Sequence, residues 1–157
     1  MDTYRYLTRR AVCGLKWIIE HCSSTKYVLK ADDDAFVSMY LVLHHIKVET
    51  KSGHYGNNVL LCKVYGTVVQ RKGKWKITHE ECSIEQFPIF CQGLDFVMTM
   101  DVAILLFNVS HYVSILWMDD VYITGILPAL LPAGTVRHID AGRFYMSAGS
   151  ILTQTIN

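Results

Sequence analysis

Three adjacent carboxylates, Asp32-Asp33-Asp34, lie between the apolar flanks Tyr27-Val28-Leu29 and Ala35-Phe36-Val37. Like charges at that spacing repel, and half-burying them unpaired is expensive, so the sequence calls for a cation beside them. Lys30 meets part of that need. One reading of the triplet is an exposed acidic turn. The apolar frame points to another, in which a strand end holds a hard divalent ion, Mg²⁺ or Mn²⁺, on carboxylate oxygens while the ion's other positions take a diphosphate. The alternating acidic positions and glycine of an EF-hand loop are absent. A second acidic pair, Asp119-Asp120, follows far downstream. Acidic side chains at a helix start complement its dipole at about 0.3–1 kcal/mol each, which would explain the pair without chemistry. A metal-neutralised diphosphate leaving group, however, needs a separate base to take a proton from the incoming nucleophile, and a carboxylate serves. Two acidic sites would divide those tasks.

Other segments carry weaker signals. In Arg71-Lys72-Gly73-Lys74-Trp75-Lys76 a solvated charged hairpin is the default, against which stand attraction of a diphosphate or stacking of Trp75 on the apolar face of a sugar ring. Asn108-Val109-Ser110 fits the N-glycosylation acceptor pattern, which requires Asn108 to face solvent. Cys13, Cys22, Cys62, Cys82 and Cys91 are scattered, without the short-gap pairs of a structural zinc site.

The elements that must position these residues follow from periodicity. Tyr4, Leu7, Ala11, Leu15, Ile18 and Cys22 recur at three- and four-residue steps and predict an amphipathic helix over 2–22, with Asp2 as N-cap. Tyr27-Val28-Leu29 reads as a short buried strand entering the acidic turn, Ser38 to Ile46 as a helix, and Lys47 to Asn58 as a loop. Val59 to Tyr65 and Leu94 to Met98 read as strands, and Asp101 caps a helix through Phe107. Asp119-Asp120 then opens a helix-like run that contains Pro128 and ends at Pro132 and Gly134. Strands alternating with helices predict an α/β fold with a partly parallel sheet, although Gly66 to Gln92 fits no regular pattern.

Composition bounds the answer. The 157 residues, 51% hydrophobic and 18% charged with formal net charge +1, supply one core but not two. That balance argues against nucleic acid as a partner. No apolar run approaches the roughly 18 residues of a spanning helix, so no membrane span is expected in this chain.

The residues also resemble a known family. Asp2-Thr3-Tyr4, Leu7-Thr8, Lys16-Trp17 and Lys26-Tyr27-Val28-Leu29-Lys30 running into Asp32-Asp33-Asp34-Ala35-Phe36-Val37 resemble the central block of the β-1,3-galactosyltransferases, glycosyltransferase family 31. Lys74-Trp75, Phe87-Pro88 leading to Cys91-Gln92-Gly93, and Asp119-Asp120-Val121-Tyr122 with Gly125 follow in the family's order, so the resemblance covers about residues 2 to 140. It implies a GT-A-like mixed sheet flanked by helices and an inverting transfer of a hexose, galactose first, from a UDP-sugar to a hydroxyl of a glycan on glycoprotein or glycolipid. Mn²⁺ or Mg²⁺ is the implied cofactor. Asp32, Asp33 and Asp34 match the metal and nucleotide-sugar motif, with Asp32 and Asp34 as metal ligands. Gly93 matches a segment near the donor, whose alternative reading is a turn before the strand at Leu94. Asp120 matches the catalytic base; Asp119 stands where most relatives have glutamate and is assigned, with Trp75, to the substrate.

The family's earlier strands and its later histidine ligand have no match, His138 following Asp120 too soon and reading as a surface or loop residue. The expectation is a single partial glycosyltransferase domain over 1–157, truncated on the N-terminal side and near the C-terminus, from a membrane-anchored parent on the lumenal side of the Golgi membrane. There Cys22 and Cys91 could be oxidised. The alternative is a non-catalytic fragment that binds carbohydrate or a full-length partner.

Overall fold

A computed structural model describes residues 4–51, 56–142 and 145–146. A single 3-10 turn, Tyr4–Tyr6, leads into helix α1, Leu7–His21; the Asp2 cap expected from the sequence lies outside the described residues. Strand β1, Tyr27–Ala31, enters the acidic turn and is followed by the short β2, Phe36–Val37. Helix α2 is Met39–Lys51, longer than its apolar pattern because Lys47, Glu49 and Lys51 are good helix formers with no glycine or proline among them. The first part of the expected loop is therefore helical.

Strand β3, Val59–Tyr65, and strand β4, Phe90–Thr99, form the centre of the sheet. Helix α3, Met100–Ser110, begins one residue before Asp101. Thr99 occupies the N-cap position, while the Asp101 carboxylate accepts the N–H groups of Val102 at 3.0 Å and Asn58 at 2.7 Å. Asp119–Val121 is one turn of α-helix, α4, which widens into a π-helical turn at Tyr122–Ile126 and closes with α5, Leu127–Ala129. Strand β5, Arg137–Asp140, was not expected, since its residues are charged and only half-buried. The two-residue β6, Tyr145–Met146, pairs with β2.

The architecture is α/β, with a mixed four-stranded sheet in the order β1-β4-β3-β5. Only β3 and β5 run parallel; β1 and β3 both pair antiparallel with β4. Period-two alternation sends Leu60, Phe96 and Met98 to one face, against α1 and α3, and Val59, Leu61 and Val97 to the other, against Val42 of α2. Burying each such side chain contributes about 1.5–3 kcal/mol, so both faces are needed for stability. Among the described residues no helix is long and apolar enough to cross a membrane.

Two departures from the expected elements shape the site. Cys91-Gln92-Gly93 is not a turn but the first part of β4, where Cys91 pairs with Val64 and is disulfide-bonded to Cys62. Cys22, expected as an oxidisable partner, is a free thiol, as are Cys13 and Cys82. The pairing of β3 with β4 then slips, so that Cys62 meets Phe96 while Val64 meets Cys91. Gln92 to Asp95 consequently bulge away from β3, as β-bulges often do beside functional sites.

Candidate functional site

The bulge is where the two acidic motifs meet. Lys30, the fourth residue of β1, donates its ammonium to Asp32 Oδ1 at 2.5 Å and to the Gly93 carbonyl at 2.8 Å, and lies 3.5 Å from Asp119 Oδ2. This is the cation that the triplet requires, and Asp119 shares it. Burial works against the charge on Lys30, but Asp32 and Asp119 together outweigh it and hold the ammonium above its ordinary pKa. Asp33 and Asp34 occupy the exposed turn between β1 and β2.

Asp120 is placed differently. It is half-buried in the first turn of α4, with Oδ1 accepting the Val121 N–H at 2.8 Å. Its Oδ2 lies against Gly93, where an added Cβ would stand only 2.9 Å away. The carboxyl is pushed up to about 6, by burial first, with Asp119 adding to the shift and the Val121 N–H and Lys30 opposing it. At neutral pH it is still mostly ionised, and a carboxylate of that pKa is a stronger base than an ordinary one.

A cleft of about 420 Å³ opens over Asp32, Gly93, Asp119 and Asp120. Its wall is aromatic: Trp75 and Trp117 stack with their rings 6.1 Å apart at 17°, and Tyr4 packs on Trp75 at 5.7 Å. Flat apolar rings beside carboxylates are a surface on which a sugar can lay its C–H face while its hydroxyls bond to oxygen. Trp75 belongs to the basic segment, which is not a simple solvated hairpin. Arg71 donates to the carbonyls of Ile77, Thr78, Cys82 and Ile84 and pairs with Glu85, and so organises the irregular stretch before β4.

Asp32, Asp33 and Asp34 offer hard oxygen donors, which fit Mn²⁺ or Mg²⁺ in type. Asp32 is already engaged by Lys30, and no group of three or more His, Cys, Asp or Glu side chains converges as a metal site among the described residues. His138 is not a surface or loop residue: it is half-buried on β5, with its ring 2.6 Å from the Thr124 carbonyl. Asn108 is exposed in the last turn of α3, as the acceptor pattern requires.

Sequence reasoning missed Asp95, Trp117 and Thr124 here, and gave Gly125 only as part of the later motif. Asp95 is buried beside this cluster and pushed up to about 6, burial being the main cause, Asp32 adding and Lys30 opposing. Its only signal was a lone carboxylate in an apolar run. Trp117 carried no signal beyond its type. Thr124 is fully buried, and Gly125 lies so close to β4 that a Cβ there would be 2.9 Å from Cβ of Phe90. For Thr124 a signal existed in Pro128, four positions on.

Residues 1–137 match the family model described as Galactosyltransferase. The chain is 31% identical over 124 residues to beta-1,3-galactosyltransferase 2 of Mus musculus, covering 78% of this chain and 29% of that protein. It is 30% identical over 130 residues to beta-1,3-galactosyltransferase 1 of Homo sapiens, covering 78% and 38%. The chain thus spans about a third of the length of the curated relatives it matches.

Proposed function

Because the chain belongs to the galactosyltransferase family, we propose that it transfers a hexose, galactose first among candidates, from a UDP-sugar to a glycan hydroxyl with inversion at the anomeric carbon. The observation that carries this reading is Asp120 itself: a half-buried carboxylate, raised to about 6, on the floor of an aromatic-walled cleft. Asp120 takes the proton of the acceptor hydroxyl as its oxygen attacks the anomeric carbon, and the bond to UDP breaks with both electrons leaving on the diphosphate. One displacement inverts the centre, and no sugar is bound covalently to the enzyme. Trp75 and Trp117 hold the sugar's apolar face, while Lys30 fixes Asp119 and Asp32 at the cleft floor.

Asp32 and Asp34, with Asp33 beside them, would hold Mn²⁺ or Mg²⁺. The ion would neutralise charge on the departing UDP. The full-length protein is assigned to the lumenal side of the Golgi membrane, with acceptors on glycoproteins or glycolipids. The Cys62–Cys91 disulfide supports an oxidising compartment, and exposed Asn108 is compatible with glycosylation there.

The test is mutagenesis of the full-length protein with UDP-sugar donors. Asp120→Asn is expected to abolish transfer with UDP binding nearly unchanged; retained transfer would remove Asp120 as base. Asp34→Ala is expected to weaken Mn²⁺-dependent UDP binding, and identical titrations with and without Mn²⁺ would remove it from the metal site. Calorimetry of the 157-residue chain with UDP and Mn²⁺ should show saturable heat. No heat would favour a carbohydrate-binding chain without a donor site.

A further inference from the structure

Pro128 stands four residues after Thr124. A proline has no N–H to offer the carbonyl four residues back, and its ring crowds that carbonyl. The helix widens here instead, with the Leu127 N–H reaching the Tyr122 carbonyl. The Thr124 carbonyl accepts the Nε2–H of His138 at 2.6 Å. Burial lowers the pKa of His138, which keeps the ring neutral while Nε2 carries the proton that the carbonyl needs.

The Thr124 side chain makes two further bonds. Its hydroxyl donates to the Asp120 carbonyl at 2.6 Å, a common arrangement within helices. It also accepts the Cys91 N–H at 2.8 Å, and that bond is tertiary. Strand β1 pairs with β4 only from Asp95 onward, so among the described residues Cys91 has no strand neighbour on that side to receive its N–H. Cys91 is in turn bonded covalently to β3, and β3 pairs with β5 with Leu60 opposite His138. The contacts close a ring from β5 through the π turn to β4, to β3 and back to β5. Asp120 is inside it, since its own carbonyl is one of the bonded groups and its carboxyl rests on Gly93.

We propose that Thr124, held by His138, is a positioning residue for Asp120: it ties the first turn of the acidic helix to β4 and thereby sets the Asp120 carboxyl against Gly93. The proposal rests on Asp120 being the base, and the experiment separates the two. In the full-length protein, Thr124→Val is expected to lower kcat about tenfold to a hundredfold with donor KM within about twofold, while Thr124→Ser, which keeps the hydroxyl, stays within about threefold of the parent. A destabilised control such as Leu106→Ala, on the buried face of α3, should leave kcat per folded molecule unchanged. The titration of the Asp120 carboxyl, followed by carbon NMR, should move in Thr124→Val and not in Thr124→Ser or the control. An unchanged kcat and titration in Thr124→Val would overturn the proposal even if Asp120→Asn is inactive. A fully active Asp120→Asn would instead sink the base, and the NMR titration would still decide the positioning. Should Thr124→Val fail to fold, His138→Ala against His138→Gln, which can still donate an N–H, supplies the same comparison: loss in the first and recovery in the second supports it, and equal rates overturn it.

Discussion

Gly93→Ala is the sharpest single perturbation of this site. The backbone at Gly93 is not in the left-handed region, unlike Gly73, Gly134 and Gly142, so alanine meets no conformational obstacle there. What it meets is Asp120: a Cβ would stand 2.9 Å from Oδ2 and 3.2 Å from Cγ, where ordinary contact begins at 3.4 Å. The carboxyl must therefore retreat by about 0.5 Å, the difference between 3.4 and 2.9 Å. It is the movable end of a side chain, so the fold can absorb the change at a cost of about 0.5 kcal/mol or less. Catalysis absorbs it less well, because a misplacement of about 1 Å can cost about a hundredfold, and half of that about tenfold. Initial rates with UDP-galactose should show kcat about tenfold lower, donor KM within about twofold, and a melting temperature within about 2 °C of the parent. Gly125→Ala is the control, since its Cβ would press on Phe90 Cβ at 2.9 Å, an atom at the root of its side chain that cannot swing aside. That variant should lose about 1–3 kcal/mol of stability. A normal kcat in well-folded Gly93→Ala would refute the placement of Asp120. A raised donor KM with kcat intact would assign Gly93 to the donor alone.

The remaining expectations are independent of that clash. With Asp120 as the proposed base and its carboxyl pushed up to about 6, kcat/KM should fall about tenfold per pH unit below about 6 and be flat just above it; an acid limb near pH 4 would contradict this. Asp95 is raised from 3.8 to about 6 in the folded chain, so its ionisation costs nothing below pH 3.8 and its full penalty above about 6. Asp95→Asn should thus stabilise the protein by roughly 1–3 kcal/mol at pH 7.5 and not at pH 3.5, as read from urea midpoints. Removing the Cys62–Cys91 disulfide, which spans 29 positions, by a double alanine substitution should cost about 3–4 kcal/mol of unfolding free energy. A loss under about 1 kcal/mol would mean that β3 and β4 are held by their other contacts alone.

Much of this arrangement was legible in the residues. Helix α1 and strands β1 and β3 stand close to where apolar spacing put them, because each has a face that water would penalise. The carboxylates themselves were legible because unpaired acids in an apolar frame demand an explanation. What could not be read is equally specific. The partner of Cys91 depended on strand pairing, since Cys82 and not Cys62 is the nearest cysteine to it in sequence. Strand β5 is charged and forms because β3 offers it a parallel edge, a tertiary cause that local propensity cannot register. The stretch before β4 shows no regular pattern in sequence because it is held by a few paired backbone bonds, Val69 to Glu85 and Phe87 to Thr67 among them, and by the Arg71 side chain on four carbonyls.

The position of the bulge explains why two acidic motifs separated by most of the chain form one site. The slip between Cys62 and Val64 leaves Gly93 without a β3 partner, and it is at this glycine that Lys30 and Asp120 both arrive. One lysine bonds to the Gly93 carbonyl and serves Asp32 and Asp119 directly, whereas Asp120, resting where a Gly93 Cβ would stand, is raised chiefly by burial, with that lysine opposing. Carboxylates of one chemical type thereby receive different environments, and different environments are what let one hold a charged ligand while another accepts a proton. It follows that Lys30→Met should disturb both halves of the site at once, freeing Asp32 and Asp119 to repel each other, whereas Lys30→Arg should preserve the ion pairs and lose only the compact contact with the Gly93 carbonyl. One strand irregularity and one ammonium thereby give Asp32 and Asp119 a different environment from Asp120.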